Sequence, residues 1–571
     1  MKKMIPVIVA IILIIVIAAA GVGAKLLEKY SYSEERADLT EYFGIQEDNN
    51  VAIILQDELI EERAKIFDGR CYFDIATVHK YFNDRFYEDK AQGILVYAMP
   101  NGFLTTRIGY AELSDYGADF EEAGMVWDYV ISRYEGDVLY IAADFVQKYA
   151  NFSYELFTEP NHMQVYTEWG ERPTADITKD TQVRCRGGIK SDILTDVSEG
   201  DTVTILEEME TWTKVKTQDS FIGYVENKRL GRRMIYVMEA PTDYVEPVYE
   251  SNTRDHKINL GWHSIGGVDG NTTLENVVAQ TKGLNVISPT WFRLTDNEGN
   301  YSSFATADYV EKAHEMGLEV WALVSNVEKE SADVDMYELL SRTSSRWNLI
   351  RNLIATAQEY NLDGINIDFE NISLDAGEPF IQFIRELSVP CRHYGIVLSV
   401  DNYVPMGHTD HYDRAEQGVV ADYVIIMGYD EHYAGSDEAG SVASINFVES
   451  GIENTVAEVP AEKVINGIPF YTRIWKSGPE GLSSEAVTMG MAQEFIENHG
   501  IAVRWDETTC QNYGEAQEGD TLYQVWLEDA DSIRVKLNIM ENYDIAGVAE
   551  WRLGHESANV WDVIEEYMNQ P

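Results

Sequence analysis

The chain has 571 residues, with 97 acidic against 44 basic side chains and a formal net charge of −53 at pH 7. A chain of this length is too long for one hydrophobic core, so we expect about three or four domains. The negative charge argues against nucleic acid as a partner, because the two polymers would repel each other at long range.

The first 24 residues determine the compartment. Lys2 and Lys3 precede an uncharged apolar stretch at residues 5–24, and about 20 such residues suffice for a helix that crosses a bilayer. A cleaved signal peptide is the alternative, since Ala18-Ala19-Ala20 offers a cleavage site. Positive charge stays inside, so in both cases the remainder is exported. We predict contact with the cell membrane through this helix and an extracellular-facing protein, followed by a juxtamembrane stalk at residues 25–41.

Residues 42–171 contain an internal repeat. The segment from Tyr72 to Tyr81 aligns with the segment from Tyr140 to Tyr149, and both copies follow a glycine turn. Each copy predicts a strand, a short helix and a hairpin, which gives an α+β domain. The repeat resembles the copper-amine-oxidase N-terminal-like module of bacterial surface proteins. It contains no group of metal ligands, so we interpret it as a spacer or wall-contact domain.

Residues 178–231 predict a small all-β barrel. Short alternating strands occur at 182–184, 201–206, 211–215 and 222–225, with turns between them. Their order is similar to that of the bacterial Src-homology-3-like domain, whose members often bind cell-wall peptides. Trp212 and Tyr224 are alternatively core residues of such a barrel. Residues 241–256 are then a linker.

The remainder, residues 257–571, alternates apolar runs with helical periodicity, which is typical of a parallel sheet. Candidate strands begin near Ile258, Asn285, Glu319, Gly364, Ile396, Tyr423, Val464 and Ala546. Eight such strands fit a (β/α)8 TIM barrel. An open doubly wound sheet is the alternative, but residues 266–270 do not have the glycine pattern of a phosphate loop.

One predicted strand, residues 363–370, has the sequence Asp-Gly-Ile-Asn-Ile-Asp-Phe-Glu. Strand side chains alternate, so Asn366, Asp368 and Glu370 share a face opposite to apolar residues. Acidic segments also cap helices, bind calcium or face water. Catalysis is the interpretation we favour, because buried carboxylates need compensation and barrel active sites lie at the carboxyl ends of strands.

This strand resembles the signature Asp-x-x-Asp-x-Asp-x-Glu of the family 18 glycoside hydrolases, in the branch that includes spore-cortex and cell-wall hydrolases. Three further segments match that family in order: Met427-Gly428-Tyr429-Asp430, Gly467-Ile468-Pro469-Phe470-Tyr471 and Gly547-Val548-Ala549-Glu550-Trp551. The resemblance covers about residues 257–568.

The resemblance implies substrate-assisted hydrolysis with retention, in which the 2-acetamido group of the substrate is the nucleophile. By resemblance, Glu370 is the general acid, Asp368 accepts the acetamido N–H and Tyr429 donates to the acetamido carbonyl. No metal or organic cofactor is implied. The substrate-binding residues implied are Asn366, Met427, Asp430, Tyr471 and Trp551.

Four other positions are candidates for a sugar subsite or for a turn. His432, Trp262 and Trp291 are candidates for lining sugar subsites, whereas Asp363 is a candidate cap for the turn before the strand.

Asn366 departs from the family pattern, which has an aspartate at that position. An asparagine can donate a hydrogen bond to Asp368 but cannot take a proton from it. The same departure occurs in cell-wall hydrolases, which favours peptidoglycan over chitin. We therefore predict an exported N-acetylglucosaminidase of cell-wall glycan. The alternatives are a chitinase or chitooligosaccharide hydrolase, a non-catalytic glycan-binding surface protein, and a sporulation scaffold whose repeat domain binds a protein.

Overall fold

The computed structural model describes residues 5–241 and 244–570, so Lys2 and Lys3 lie outside the described residues. The chain forms two compact units. The first comprises Met1–Phe86, Ile108–Ala111 and Asp128–Glu246, and the second comprises Tyr87–Arg107, Glu112–Trp127 and Pro247–Pro571.

The N-terminal apolar stretch forms a helix that runs past the predicted end at residue 24, to Tyr30. By length and composition its segment Val7–Tyr30 could cross a membrane. The elements up to residue 166 are α1 (Ile5–Tyr30), α2 (Leu39–Phe43), β1 (Asn50–Leu55), β2 (Glu58–Phe67), β3 (Arg70–Asp74), α3 (Ile75–Tyr81), β4 (Phe86–Asp89), β5 (Ile94–Met99), β6 (Gly102–Arg107), β7 (Glu112–Gly117), β8 (Glu122–Val126), β9 (Ser132–Glu135), β10 (Val138–Ala142), α4 (Ala143–Val146), β11 (Ser153–Phe157) and β12 (His162–Tyr166).

The two copies of the repeat lie side by side in one sheet of the first unit. Its strand order is β11-β12-β1-β2-β3-β10-β9. Each copy has a strand followed directly by a short helix, β3 with α3 and β10 with α4. The two strands pair antiparallel, with Phe73 opposite Ile141. The resemblance of this region to the copper-amine-oxidase N-terminal-like module stays a prediction.

The small all-β domain predicted next is present in the first unit. Its strands pair in the order β15-β14-β18-β17-β16-β13-β19, around a core that includes Val183, Val203, Val215 and Val225. The strands are β13 (Gly170–Ile177), β14 (Thr181–Arg184), β15 (Ile193–Val197), β16 (Thr202–Glu208), β17 (Trp212–Lys216), β18 (Ile222–Glu226) and β19 (Leu230–Met238).

The second unit is built on a closed parallel barrel, which confirms the predicted TIM fold. Strands pair around the ring in the order β20-β21-β24-β25-β26-β27-β28-β34, and β34 returns to β20. The alternative of an open sheet is therefore wrong. The elements are β20 (Ile258–His263), α5 (Leu274–Val277), β21 (Val286–Pro289), β22 (Phe292–Leu294), β23 (Tyr301–Ser303), α6 (Ala307–Glu315), β24 (Glu319–Ser325), α7 (Met336–Ser341), α8 (Thr343–Tyr360), β25 (Gly364–Asp368), α9 (Gly377–Tyr394), β26 (Val397–Tyr403), α10 (Arg414–Val420), β27 (Tyr423–Met427), α11 (Ile445–Val456), β28 (Val464–Pro469), β29 (Tyr471–Gly478), β30 (Gly481–Thr488), α12 (Met489–His499), β31 (Val503–Asp506), β32 (Gln511–Glu518), β33 (Thr521–Leu527), α13 (Ala530–Asn542), β34 (Gly547–Trp551) and α14 (Val560–Met568).

Alternation along the strands divides the barrel into two apolar layers. Leu260, Trp262, Trp321 and Ile425 fill its interior, whereas the opposite faces of the strands pack beneath the surrounding helices. An antiparallel sheet, β30-β29-β33-β32-β31, is inserted with α12 between β28 and α13. The interior layer ends below the carboxyl edge of the strands, where polar side chains replace apolar ones.

The segment predicted as a single repeat domain, residues 42–171, is divided between the two units. Its antiparallel sheet β4-β5-β6-β7-β8 belongs with the barrel. There Phe103, Tyr116 and Phe120 surround Trp347 of α8, with ring centroids 5.6, 4.9 and 5.3 Å away. These contacts join residues more than 200 positions apart in the chain, which local sequence patterns cannot indicate.

Replacing Trp347 with alanine is expected to lower the free energy of unfolding of the barrel unit by about 3 to 5 kcal/mol. The indole is only 7% exposed, so its removal leaves a cavity between α8 and the β4–β8 sheet. Chemical denaturation of the full chain in detergent measures the change. The control is Tyr337→Ala, whose ring is 46% exposed and whose loss should change stability by less than about 0.5 kcal/mol. Equal midpoints for the two variants would contradict the packing.

Candidate active site

Strand β25 places its polar residues on the interior face of the barrel. Ile365, Ile367 and Phe369 belong to the layer beneath the helices, so the alternating residues Asn366 and Asp368 point inward. Asn366 and Asp368 are both buried, and Glu370 follows the end of the strand at the rim. The carboxyl groups of Asp368 and Glu370 therefore lie at the C-terminal edge of the barrel strands, where active sites of this fold lie.

A cavity of about 260 Å³ opens above this edge. Several neighbouring strands contribute side chains to it. Its lining consists of Trp262, Leu323, Asp368, Glu370, Asp401, Tyr403, Met427, Tyr429, Asp430 and Trp551.

Glu370 is half-buried and held on both its backbone and its side chain. Asn326 pairs with its main chain, accepting from Glu370 N and donating to Glu370 O at 2.8 Å each. The Tyr403 hydroxyl donates to Glu370 Oε2 at 2.7 Å. Burial raises the pKa of Glu370, the Tyr403 hydrogen bond opposes that rise, and the Asp430 carboxylate adds to it. A carboxyl group whose pKa is raised by burial keeps its proton to higher pH than a free one, which is what a general acid requires.

Asp368 and Asp401 are two buried carboxyl groups on adjacent strands. β25 and β26 run parallel with Ile367 beside Val400, so the next residues, Asp368 and Asp401, lie side by side. Burial raises the pKa of Asp368 well above its usual range, and the Asp401 and Glu370 charges raise it further. Burial also raises the pKa of Asp401 to about 8, against the lowering effect of a hydrogen bond from Asn366.

Asn366 lies beneath the cavity and does not line it. Its Oδ1 accepts hydrogen bonds from Trp262 Nε1 at 3.0 Å and Ser288 Oγ at 3.2 Å. Its Nδ2 donates to Asp401 Oδ1 at 2.8 Å and Ser399 Oγ at 3.1 Å. The amide donates to Asp401 and Ser399, and not to Asp368, to which an asparagine at this position could also donate.

The end of β27 supplies another part of the cavity wall. Met427 and Tyr429 line it, and Asp430 follows with a left-handed backbone, φ 60°. The Tyr429 ring lies over Gly467, where a Cβ atom would stand 3.1 Å from Tyr429 Cε1. Burial raises the pKa of Tyr429 well above its usual range, so its hydroxyl keeps its proton and can donate.

Two further predicted residues differ in their relation to the cavity. Trp551, at the end of β34, lines it and packs edge-on against Trp262, with centroids 5.9 Å apart. Tyr471 does not line it. Its hydroxyl instead donates to Asp430 Oδ1, and its ring packs edge-on against Tyr429 at 6.3 Å, so it supports two residues that do.

Three weaker candidates lie away from the cavity. His432 Nδ1 hydrogen-bonds to Ser441 O at 2.8 Å. Trp291 is buried and donates to Asn271 Oδ1 at 2.8 Å. Asp363 accepts from Val320 N at 2.8 Å and contacts His314 Nε2 at 2.8 Å. None of the three is among the residues that line the cavity.

Asp401 and Tyr403 are cavity residues that the sequence reasoning missed. Both lie on β26, where they alternate with Asn402 after the apolar start of the strand. The sequence pattern is the same as on β25: polar residues two positions apart, and so on one face, at the carboxyl end of a buried strand. Strand β26 carries none of the four family motifs.

The arrangement is suited to acid catalysis on a ligand with an apolar face. Indole rings provide a stacking surface, and the carboxyl groups and hydroxyls surround one small volume. Within residues 5–241 and 244–570, no group of three or more His, Cys, Asp or Glu residues is arranged to hold a metal ion.

Comparisons with known proteins agree with this geometry. A family model described as glycosyl hydrolases family 18 matches residues 264–556, more than half of the chain, and a bacterial SH3 domain model matches residues 179–231. Glycosylase YvbX of Bacillus subtilis, itself uncharacterized, is 26% identical over 314 residues, which are 53% of this chain and 90% of YvbX.

Two further similarities are to enzymes named as cortex-lytic or cortical fragment-lytic. The cortical fragment-lytic enzyme of Bacillus subtilis is 23% identical over 257 residues, 43% of this chain and 59% of that protein's length. The crystal structure of the Bacillus cereus spore cortex-lytic enzyme SleL superposes with a TM-score of 0.50 and 21% identity, covering 59% of this chain and 78% of SleL. At that identity, the structural likeness concerns the fold.

Proposed function

This chain belongs to family 18 of the glycosyl hydrolases, and from that premise we propose that it cleaves β-1,4 bonds at N-acetylglucosamine in bacterial peptidoglycan. The observation that carries the proposal is the shared cavity of Glu370, Asp368, Tyr429 and Trp551. Its setting at the carboxyl edge of the barrel gives a saccharide access to an acid, a carboxylate, a hydroxyl donor and an aromatic floor.

In the proposed mechanism, Glu370 protonates the glycosidic oxygen as the bond breaks. The acetamido carbonyl oxygen of the sugar attacks the anomeric carbon from the opposite face, which leads to retention through an oxazolinium intermediate. Tyr429 holds that carbonyl by donating a hydrogen bond, and Asp368 accepts from the acetamido N–H. Glu370, now ionised, then takes a proton from the water that opens the intermediate.

The rest of the cavity positions the sugar. Trp551 supports its apolar face, and Met427 fills the wall beside Tyr429. Asp430 accepts from Tyr471, which fixes its carboxylate at the rim, where it can also accept from a sugar hydroxyl. Asn366 acts from below by orienting Trp262 and Asp401.

The second domain of the chain and the names of its relatives favour peptidoglycan over chitin as the substrate. The chain carries a bacterial SH3 domain, and a relative is named a cortical fragment-lytic enzyme. We propose that α1 anchors the protein in the cell membrane and that the remaining domains face the wall. A signal-peptide role for the same helix would give a secreted enzyme instead.

Mass spectrometry of the products decides the substrate. The full chain in detergent is incubated with purified peptidoglycan and, separately, with chitin. Muropeptides that end in reducing N-acetylglucosamine support the proposal. Chitooligosaccharides from chitin alone would assign a chitinase, and no product from either polymer would contradict the proposed activity.

Two substitutions around Glu370 are expected to move the alkaline limb of the pH–kcat profile in opposite directions. Tyr403→Phe removes a hydrogen bond that stabilises the ionised carboxylate, so the pKa of Glu370 rises. Asp430→Asn removes a like charge, so that pKa falls. Because the acid must be protonated, activity is lost as pH rises through its pKa. The limb should therefore shift to higher pH in the first variant and to lower pH in the second.

The measurement is the rate on a fluorogenic chitooligosaccharide between pH 4 and 9. Both substitutions keep side-chain size nearly constant, so each variant serves as the control for the other. Shifts of the same sign, or none, would contradict the assignment of the limb to Glu370.

A further inference from the structure

Asn366 is fixed in one orientation by its neighbours. An indole N–H can only donate, so Trp262 Nε1, at 3.0 Å, identifies the atom it contacts as the amide oxygen of Asn366. The amide nitrogen must then face Asp401 and Ser399, at 2.8 and 3.1 Å. Both ends of the amide are therefore occupied, and Asn366 can neither exchange a proton with Asp368 nor turn toward it.

Within the described residues, the Asp368 carboxyl group has one oxygen without a hydrogen-bond partner. Its side chain is 8% exposed, and its Oδ1 is buried without a hydrogen-bond partner in the described structure. A buried carboxylate oxygen without a hydrogen-bond partner is strongly unfavourable. A proton held between Asp368 and a second acid would relieve it.

Asp401 is placed to be that second acid. It lies beside Asp368 on the adjacent parallel strand and lines the same cavity. Its Oδ1 accepts from Asn366, which leaves its other carboxyl oxygen available for a proton. The acidic groups facing this pair are Glu370 at the end of β25, Tyr429 after β27, Tyr412 before α10 and Glu328 after β24.

We propose that Asp401 is a positioning residue that acts through Asp368, by holding the proton that Asn366 cannot take. The inference rests on the proposed function. In the resting enzyme the two carboxyl groups share one proton. As the acetamido oxygen attacks and positive charge develops, that proton moves fully to Asp401, and Asp368 becomes the carboxylate that accepts the acetamido N–H. Opening of the intermediate returns the proton to the shared position, so none is gained or lost over the cycle.

The test removes the carboxyl group at position 401 and then restores one at position 366. The single variant Asp401→Asn keeps the shape and hydrogen-bond capacity of the side chain but removes the site that holds the proton. The double variant Asn366→Asp with Asp401→Asn moves a carboxyl group to position 366, the other neighbour of Asp368. For the single variant we expect kcat on a fluorogenic chitooligosaccharide to fall about 10- to 100-fold with little change in KM. Its acid limb should shift to higher pH, because the proton on Asp401 that stabilises the ionised form of Asp368 is lost, while burial still raises the pKa of Asp368. The double variant should recover most of the lost kcat and most of the original position of the acid limb.

A purely structural role for Asp401 predicts another pattern. The amide oxygen introduced by Asp401→Asn could still accept from Asn366, so the pH profile would stay in place and the double variant would bring no recovery. That outcome would overturn the inference. Asp437→Asn, at an exposed site on the chain after β27, controls for the loss of one negative charge.

A second readout does not depend on activity. In the native state the pair keeps a proton that both groups have released in the unfolded chain above about pH 4. The unfolded state therefore binds fewer protons, and stability falls as pH rises toward the raised pKa of Asp401, about 8. Between pH 5 and 8 the Tm of the wild type should fall more steeply than that of Asp401→Asn.

The two readouts separate the hypotheses. If the wild type cleaves no N-acetylglucosamine polymer, the proposed function fails, and the Tm comparison still decides whether Asp368 and Asp401 share a proton. Equal Tm slopes for the wild type and Asp401→Asn would overturn the inference even in an active enzyme.

Discussion

Replacing Glu370 with glutamine is expected to lower kcat on peptidoglycan by about 10²- to 10⁴-fold, which is the usual contribution of a positioned general acid. The change is nearly isosteric. Glutamine can still accept from the Tyr403 hydroxyl that contacts Glu370 Oε2 at 2.7 Å, and the backbone pairing with Asn326 does not involve the side chain. The variant should therefore fold and bind glycan like the wild type, so that the loss concerns chemistry.

The leaving group distinguishes a lost acid from a damaged site. A dinitrophenyl glycoside departs without protonation, so Glu370→Gln should cleave it with a much smaller loss than it shows on the natural glycan. A damaged site would reduce both rates equally. Glu359→Gln, on the exposed face of α8, should match the wild type on both substrates. Undiminished turnover of peptidoglycan by Glu370→Gln would remove Glu370 from the mechanism.

The barrel could be predicted closely from sequence because its strands are marked by local patterns. Predicted starts at Ile258, Glu319, Gly364, Tyr423 and Val464 coincide with the observed ones, and the others lie one residue away. Buried parallel strands have continuous apolar runs, and the helices between them show their own period.

Features that depend on contacts distant in sequence were not accessible in this way. The β4–β8 sheet covers Trp347 of the barrel unit, although nothing local in residues 87–127 indicates that partner. The orientation of Asn366 is a second case. It depends on Trp262 and Asp401, which lie with Asn366 on three different strands of the barrel, so no local pattern indicates which carboxylate accepts from the amide.

Tyr429→Phe is expected to lower kcat about 100-fold, because the hydroxyl that positions the acetamido nucleophile is lost. A misplacement of about 1 Å in an attacking group is enough for an effect of that size. The ring itself should remain in place, since it is confined by Gly467 and packs against Tyr471. Because burial raises the pKa of Tyr429, its hydroxyl is protonated throughout the working range, and the loss should be the same at every pH from 5 to 8.

A thiazoline analogue of the cyclised intermediate tests whether this loss concerns the acetamido group. The analogue retains the ring that the intermediate forms, so its affinity for Tyr429→Phe should fall along with kcat, whereas KM for the polymer should change little. Tyr433→Phe is the matched control, since its ring is 56% exposed and does not line the cavity. If the analogue binds both variants equally well, or if kcat of Tyr429→Phe stays within about threefold of the wild type, catalysis does not depend on this hydroxyl. The nucleophile would then have to be held by Asp368 alone, which would make the proton shared with Asp401 the main determinant of its orientation.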